Sequence, residues 1–343
     1  MNAPLGPPPA QARSGVTFAS FAPLGLAAGI DVARRSQELG FGSFWTAETI
    51  GQEAFSTLAA VATSVPGMGL GTGVLPIQIR TPMLAAMGAA TVQSIAPDSE
   101  VLLGVGISSP VVVGRWHGAD YGDHPVARAR EYLELVRACL SGGKVTHDGA
   151  HYRCSGFRLG VRLGDRLPRL VLGALNERML RVAGEMADGV LLNYLPASAV
   201  PWCVEQVRAG EESAGRAPGE CTVYAYVHVG VCDRDAALGA ARRDLFSYAV
   251  VPAYAAAFER AGFGDEIGAL REAHSRGDRE GAVAAISERM VDSIDICGDP
   301  PTVATAVQEY RAAGVDVPVI MPLPWGEDRR ATIEATLDAT AGR

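Results

Sequence analysis

The chain has 343 residues, of which 48% are hydrophobic, with mean hydropathy +0.13. That length is ordinary for one α/β barrel and ample for a large core. The formal charge of −8, from 30 basic and 38 acidic residues, argues against nucleic acid as a partner. No apolar run reaches the ~18 residues of a membrane span. Lys144 is the only lysine, which excludes a Schiff-base aldolase, a pyridoxal enzyme and a P-loop NTPase.

In chain order, residues 1–14 carry "PLGPPPA" and read as a disordered lead with no apolar signal region. Strand-like and helix-like segments then alternate. "VTFASF" (16–21) predicts a strand, and "IDVARRSQELG" (30–40) a helix closed by Gly40. "GSFWTAE" (42–48) predicts the second strand and "QEAFSTLAAVATSV" (52–65) the second helix. The third strand lies in "GMGLGTGVLPIQIRTP", where glycines at 67, 69, 71 and 73 alternate with larger residues. Glycine weakens a strand unless something approaches its backbone closely, here a helix or a flat ligand. Pro82 suits the first turn of the next helix, 81–95.

"EVLLGVGIS" (100–108) is the fourth strand, and 126–140 is helical with Tyr132, Leu133, Val136 and Leu140 on one face. The Asp148-Gly149 pair in "KVTHDGAHYRC" signals a hairpin insertion. Strands at 169–175, 188–195, 221–231 and 317–325 complete eight, and residues 235–290 form a long helical insertion. Eight apolar strands with intervening helices predict a parallel sheet closed into a single (β/α)8 TIM barrel over 15–343. Insertions are expected near 108–126, 142–168 and 235–295. The other arrangement weighed is a doubly wound open sheet.

GxSxG and a working GxGxxG are absent from the sequence. His147 and His151 flank the Asp-Gly turn and share no helical face, so no metal ligand set is assigned. The six cysteines form no CxxC pair and are expected to be reduced, as in a cytoplasmic protein. A barrel keeps its chemistry at strand C-termini. Those positions are Trp45 to Thr49, Thr72 to Pro76, Ser108 to Pro110, Gly173 to Leu175 and Asn193. The stretch Gly173 to Leu175 runs directly into a helix N-terminus, a natural anion site.

From about residue 16 to 335 the sequence resembles the luciferase-like flavin monooxygenase family, and more narrowly its branch that uses the deazaflavin coenzyme F420. The resemblance rests on "FWTAET…EAF", "LGTGVLPIQIRTPMLAAMGAATV", "LLGVGISSPVVVGRWHG", "REYLELVRACLSGGKVTHDGAHY", "RMLRVAGEMADGVLLNYLP" and "AAGVDVPVIMP". It implies hydride transfer between F420 and a small organic substrate. It also implies a non-prolyl cis peptide at Gly73-Val74 bulging against the cofactor ring. Trp45, Thr72, Gly73, Val74, Ser108 and Ser109 are then expected around the ring, and the cofactor phosphate on Gly173, Ala174, Leu175 and Asn176.

Relatives commonly carry Gly-Pro where this chain has Asn176-Glu177. Arg80 and Arg115 are expected on the carboxylates of the tail. F420-dependent sugar-phosphate dehydrogenases carry Asp-His after the second strand and a glutamate after the fourth. This chain has Glu48-Thr49 and Ser109 there, which argues against that substrate. Glu48 and His117 are the expected proton-handling residues, with Tyr194 behind them.

A homodimer is expected from the resemblance. Three other readings stay open: an FMN-dependent monooxygenase, a barrel that holds flavin without catalysis, and a metal-dependent hydrolase centred near His117 and His124.

Overall fold

The computed structural model describes residues 14–342. The expected N-terminal lead lies outside them, except for Ser14, which is buried and whose carbonyl accepts from the Gly42 N–H. The strands in chain order are β1 (Gly15–Thr17), β2 (Ser43–Thr46), β3 (Gly69–Thr72), β4 (Leu75–Pro76), β5 (Val101–Gly106), β6 (Val145–Asp148), β7 (Arg153–Phe157), β8 (Arg169–Gly173), β9 (Gly189–Leu192), β10 (Thr222–Val231), β11 (Asp295–Gly298) and β12 (Val317–Pro322). Eight of them pair in parallel, in the order β12-β1-β2-β3-β5-β8-β9-β10, and β10 pairs with β12 to close the barrel. The (β/α)8 expectation holds. Helices cover the barrel from outside, so its eight strands are buried almost throughout and their sequences are largely apolar.

Local signals set most element ends. Gly40 adopts φ +88° just past the helix Leu26–Glu38. Thr81 caps the helix Pro82–Ile95 by accepting from the Leu84 N–H, with Pro82 in the first turn. The antiparallel hairpin β6–β7 turns at Asp148-Gly149 as expected. Its ends are tied down by Glu131, whose carboxylate accepts from the His151 and Tyr152 N–H groups and meets His147 Nε2 at 2.9 Å. His147 thus serves the hairpin.

Two segments differ from the sequence reading. The first strand stops at Thr17, and Ala19–Leu24 is a 3-10 helix that buries Phe21 against Phe18. The loop after β5 contains a π-helical turn, Val111–Trp116.

The barrel mouth is asymmetric. The lower half of β10 pairs with β9, from Thr222 opposite Gly189 to Ala225 opposite Leu192. Its upper half pairs instead with β11, from His228 opposite Asp295 to Val231 opposite Gly298. β11 therefore wedges β9 away from β10 at the C-terminal end, and it brings the helices of the insertion (234–294) to that side.

Inside the barrel, Trp45, Leu102, Val171, Leu191, Tyr224, Tyr226, Val319 and Met321 form a packed core. The glycines of β3 belong to it. A Cβ on Gly71 would meet the Trp45 indole at 2.4 Å, and one on Gly73 would meet the Tyr226 hydroxyl at 2.0 Å. The intervening Met68 and Leu70 face outward into the layer beneath the helices. What approaches the β3 backbone is thus a pair of aromatic side chains from the barrel itself.

Placing a methyl at Gly71 forces the indole off its seat. Gly71→Ala should lower stability by about 1–3 kcal/mol in urea unfolding. Adding Trp45→Leu to that variant should recover part of the loss, and no recovery would remove the indole as the cause.

Candidate active site

β3 ends in a bend that faces the barrel mouth. The Gly73 N–H donates to the Thr46 carbonyl at 2.7 Å, and the Gly73 carbonyl accepts from Tyr226 Oη at 2.8 Å. The Gly73-Val74 peptide is cis, as the resemblance implied. Tyr226 also accepts from Thr17 Oγ1 at 3.3 Å, and burial pushes its phenol far above the usual range, so it stays a donor.

Thr72 does not face the mouth as a free hydroxyl: its Oγ1 donates to the Gly104 carbonyl and accepts from the Gly104 N–H, both at 2.8 Å. Val74 sits half-buried in a notch walled by glycine. A Cβ on Gly106 would lie 2.9 Å from one of its methyls, and one on Gly173 would lie 3.2 Å from the other. Any side chain at those two strand ends would displace Val74 from the floor of the mouth.

Trp45 requires a correction. Its indole is fully buried, donates to Ser43 Oγ at 2.9 Å and packs on Tyr224 with ring centroids 5.2 Å apart. It fills the barrel beneath the bend and forms no wall of the mouth. Glu48 and Arg80 require another, because they bind each other. Arg80 Nε and Nη2 donate to the two Glu48 oxygens at 2.5 and 2.6 Å, with both side chains largely buried.

Arg80 also pairs with Glu53, whose carboxylate caps the helix Ala54–Ser64 through the Phe55 and Ser56 N–H groups. The Glu48 hydrogen bond, opposed by burial, raises the Arg80 pKa further. Arg80 is therefore committed to carboxylates of this chain, and both Glu48 oxygens act as acceptors.

His117 is exposed and its Nε2 lies 2.6 Å from the Thr49 carbonyl, so that nitrogen carries the hydrogen and Nδ1 is the basic one. The bond ties the loop after β5 to the loop after β2. Ser109 Oγ accepts from the Val112 N–H at 3.2 Å and starts the π-helical turn, while the Ser108 N–H points to Gln78 Oε1 at 3.4 Å. Ile50, Val111 and Trp116 are exposed apolar residues on these two loops. Tyr194, the remaining candidate proton donor, is buried; its hydroxyl donates to Asp244 Oδ2 at 2.7 Å.

At the end of β8 the Ala174 N–H donates to the Leu191 carbonyl at 3.2 Å, and Asn176 precedes the helix Glu177–Met186 without capping it. Its side chain is turned aside: Oδ1 accepts from Arg260 Nη1 at 2.9 Å. Arg260 Nη2 also donates to the Leu175 carbonyl at 2.6 Å, and its guanidinium lies 4.5 Å from the Trp202 ring centroid. Burial lowers the Arg260 pKa without discharging so basic a group.

Glu177 pairs with Arg181 along its own helix at 3.0 Å, and its charge also acts on Arg260, opposing the effect of burial. A pocket of about 290 Å³ adjoins this point, lined by Leu175, Leu195, Trp202, Cys203, Ala257 and Arg260 among others.

Sequence reading did not find Arg260, because it lies in the helical insertion and no spacing links it to residue 176. Tyr226 left a signal that was passed over: with Tyr224 it marks one face of an alternating strand.

A family model described as luciferase-like monooxygenase matches residues 9–317. The 5,10-methylenetetrahydromethanopterin reductase of Archaeoglobus fulgidus is 29% identical over 306 residues, covering 87% of this chain and 90% of its own. A putative coenzyme F420-dependent oxidoreductase of Mycobacterium tuberculosis is 28% identical over 312 residues, covering 84% and 89%. The solved coenzyme F420 dependent tetrahydromethanopterin reductase of Methanopyrus kandleri superposes with a TM-score of 0.79 at 24% identity, over 97% of this chain and 98% of that one.

The Glu48–Arg80 pair is expected to be structural. In a double-mutant cycle of Glu48→Gln and Arg80→Gln, read by urea unfolding, the coupling should be about 1–3 kcal/mol. Additive losses would show that the two side chains act independently.

Proposed function

The chain belongs to the luciferase-like monooxygenase family, and on that premise we propose that it is a coenzyme F420-dependent oxidoreductase that moves a hydride to or from a small organic substrate. The observation that supports this most is the glycine-walled notch. Val74, seated between Gly106 and Gly173 and set by the Thr46 and Tyr226 hydrogen bonds to Gly73, presents a half-exposed apolar floor at the strand C-termini. A planar heterocycle can approach such a floor closely because no side chain rises from the neighbouring strand ends.

The donors present also suit the anionic part of the coenzyme. The uncapped start of the helix Glu177–Met186 offers backbone N–H groups, and Arg260 adds a guanidinium beside Leu175 and Asn176. Gly173 to Asn176 with Arg260 would hold the phosphate. Arg115 remains available for a tail carboxylate, whereas Arg80 is withdrawn from that role. Gly73, Val74, Ser108 and Ser109 would border the ring. When bound, the deazaflavin supplies the hydride chemistry.

The chain supplies position, dryness and a proton. The exposed Ile50, Val111 and Trp116 would shield the mouth from water. His117, with Nε2 fixed on the Thr49 carbonyl, would take or give the proton at Nδ1. Glu48 is left with a supporting role, holding Arg80 below the same loops. Among the described residues no helix is long and apolar enough to cross a membrane. We further read the protein as a cytoplasmic homodimer.

Titration of the purified protein should show tight binding of F420 and weak binding of FMN; preference for FMN would replace this reading by the oxygen-activating one. Arg260→Ala should weaken F420 binding about tenfold, or 1.4 kcal/mol. His117→Asn should keep F420 affinity while slowing oxidation of reduced F420 by an imine or enone substrate about tenfold or more. Unchanged turnover would remove His117 from the mechanism.

A further inference from the structure

Where β11 wedges into the mouth, it meets β10 at a polar cluster that none of the proposed F420 chemistry uses. His228 is on the inward face of β10, Asp295 opens β11, and Asp244 comes from the helix Arg234–Ala249 of the insertion. His228 and Asp295 have 1% and 0% of their surface exposed. One ligand atom from each of the three residues lies within 4.8 Å of the other two. Tyr194, at φ +49°, stacks on Tyr248 with ring centroids 3.7 Å apart and presents its edge to His228 at 4.0 Å, so aromatic rings seal the cluster.

The hydrogen bonds of this cluster do not balance. His228 Nε2 meets Asn193 Oδ1 at 2.8 Å, which places the ring hydrogen there. Nδ1 then turns a lone pair toward Asp295 Oδ1 at 3.1 Å, so an ionised Asp295 would face it acceptor to acceptor. Asp295 Oδ2 is buried with no partner at all. Neither Asp295 nor Asp244 pairs with an arginine or lysine among the described residues. Two carboxyl groups and an imidazole thus converge with no arginine or lysine among them, an arrangement whose burial cost a bound cation would offset.

We propose that His228, Asp244 and Asp295 form a binding site for one divalent cation of the zinc or manganese class. One imidazole nitrogen and two carboxylates are the donor set those ions take. The surroundings have the form of a supporting shell: Asn193 meets Nε2 of His228, and the Tyr194 hydroxyl donates to Oδ2 of Asp244. The cation would tie the insertion to the barrel, since its ligands come from β10, β11 and an insertion helix.

The test needs neither F420 nor a substrate. Protein purified without chelator is analysed for metal content, then stripped with EDTA and melted with and without added ZnCl2 or MnCl2. About one equivalent of zinc or manganese per chain, a lower Tm after stripping and its recovery with the ion are expected. Asp295→Asn and, should that variant fail to fold, Asp244→Asn are expected to bind none and to melt independently of the ion. Two results would overturn the proposal. One is parent protein that takes up no ion and ignores EDTA. The other is a folded variant that keeps the parent's metal content, or that melts above the stripped parent without any ion, the mark of a shared proton in place of a metal.

Discussion

Tyr226 reaches across the barrel to hydrogen-bond the Gly73 carbonyl, and it can do so only because β3 offers no side chain on its inner face. The interior of an eight-stranded barrel has room for a few layers of side chains and no more. Here Trp45 and Tyr226 take the space that residues 71 and 73 would otherwise claim. The hydroxyl then holds the bend at residues 73 and 74 from below, while the Thr46 carbonyl holds its N–H from the side. Thr72 locks the preceding turn of chain to Gly104 through both lone pair and proton. The position of Val74 at the mouth is the outcome of these bonds and of the glycines at the ends of β5 and β8.

Charge is handled differently on the two sides of the mouth. Under the loops after β2 and β5, the charge of Arg80 is more than offset by Glu48 and Glu53, so it is not open to an outside anion. Across the mouth, Arg260 is held by neutral carbonyl and amide oxygens, and the helix dipole adds to its field. An anionic group would therefore be drawn to the β8 side. Glu177, which lies at the start of that helix, pairs along its axis with Arg181.

The insertion between β10 and β12 supplies more than a cover. It carries Arg260 to the helix start after β8, carries Asp244 and the tyrosines 248 and 254 against Asn193 and His228, and ends in β11, which changes the partner of β10 halfway along its length. The barrel provides a floor that many chemistries can share, and the insertion decides which groups stand over it.

The alternation of eight apolar runs with amphipathic segments was enough to establish a parallel barrel, because covered strands must be hydrophobic on both faces and such strands need crossovers. Capping and turn residues such as Gly40, Thr81-Pro82 and Asp148-Gly149 marked element ends for equally local reasons. The helix start at Asn176 was also legible, since it follows a strand terminus, where a barrel gathers its functional groups, whereas the bend at Gly73-Val74 was implied by the family resemblance. Partnership was not legible. Glu48 reads as a free acid until Arg80, 32 residues on, closes on it. Trp45 reads as a wall until the glycines beneath it show that it fills the barrel. Arg260 and Asp295 read as ordinary residues of an insertion. Periodicity and turn chemistry depend on neighbours along the chain, and so the sequence by itself determined the barrel and the ends of its strands. Which charges meet, which rings are buried and which helix end stays open depend on contacts between distant segments, and only the tertiary structure decided those.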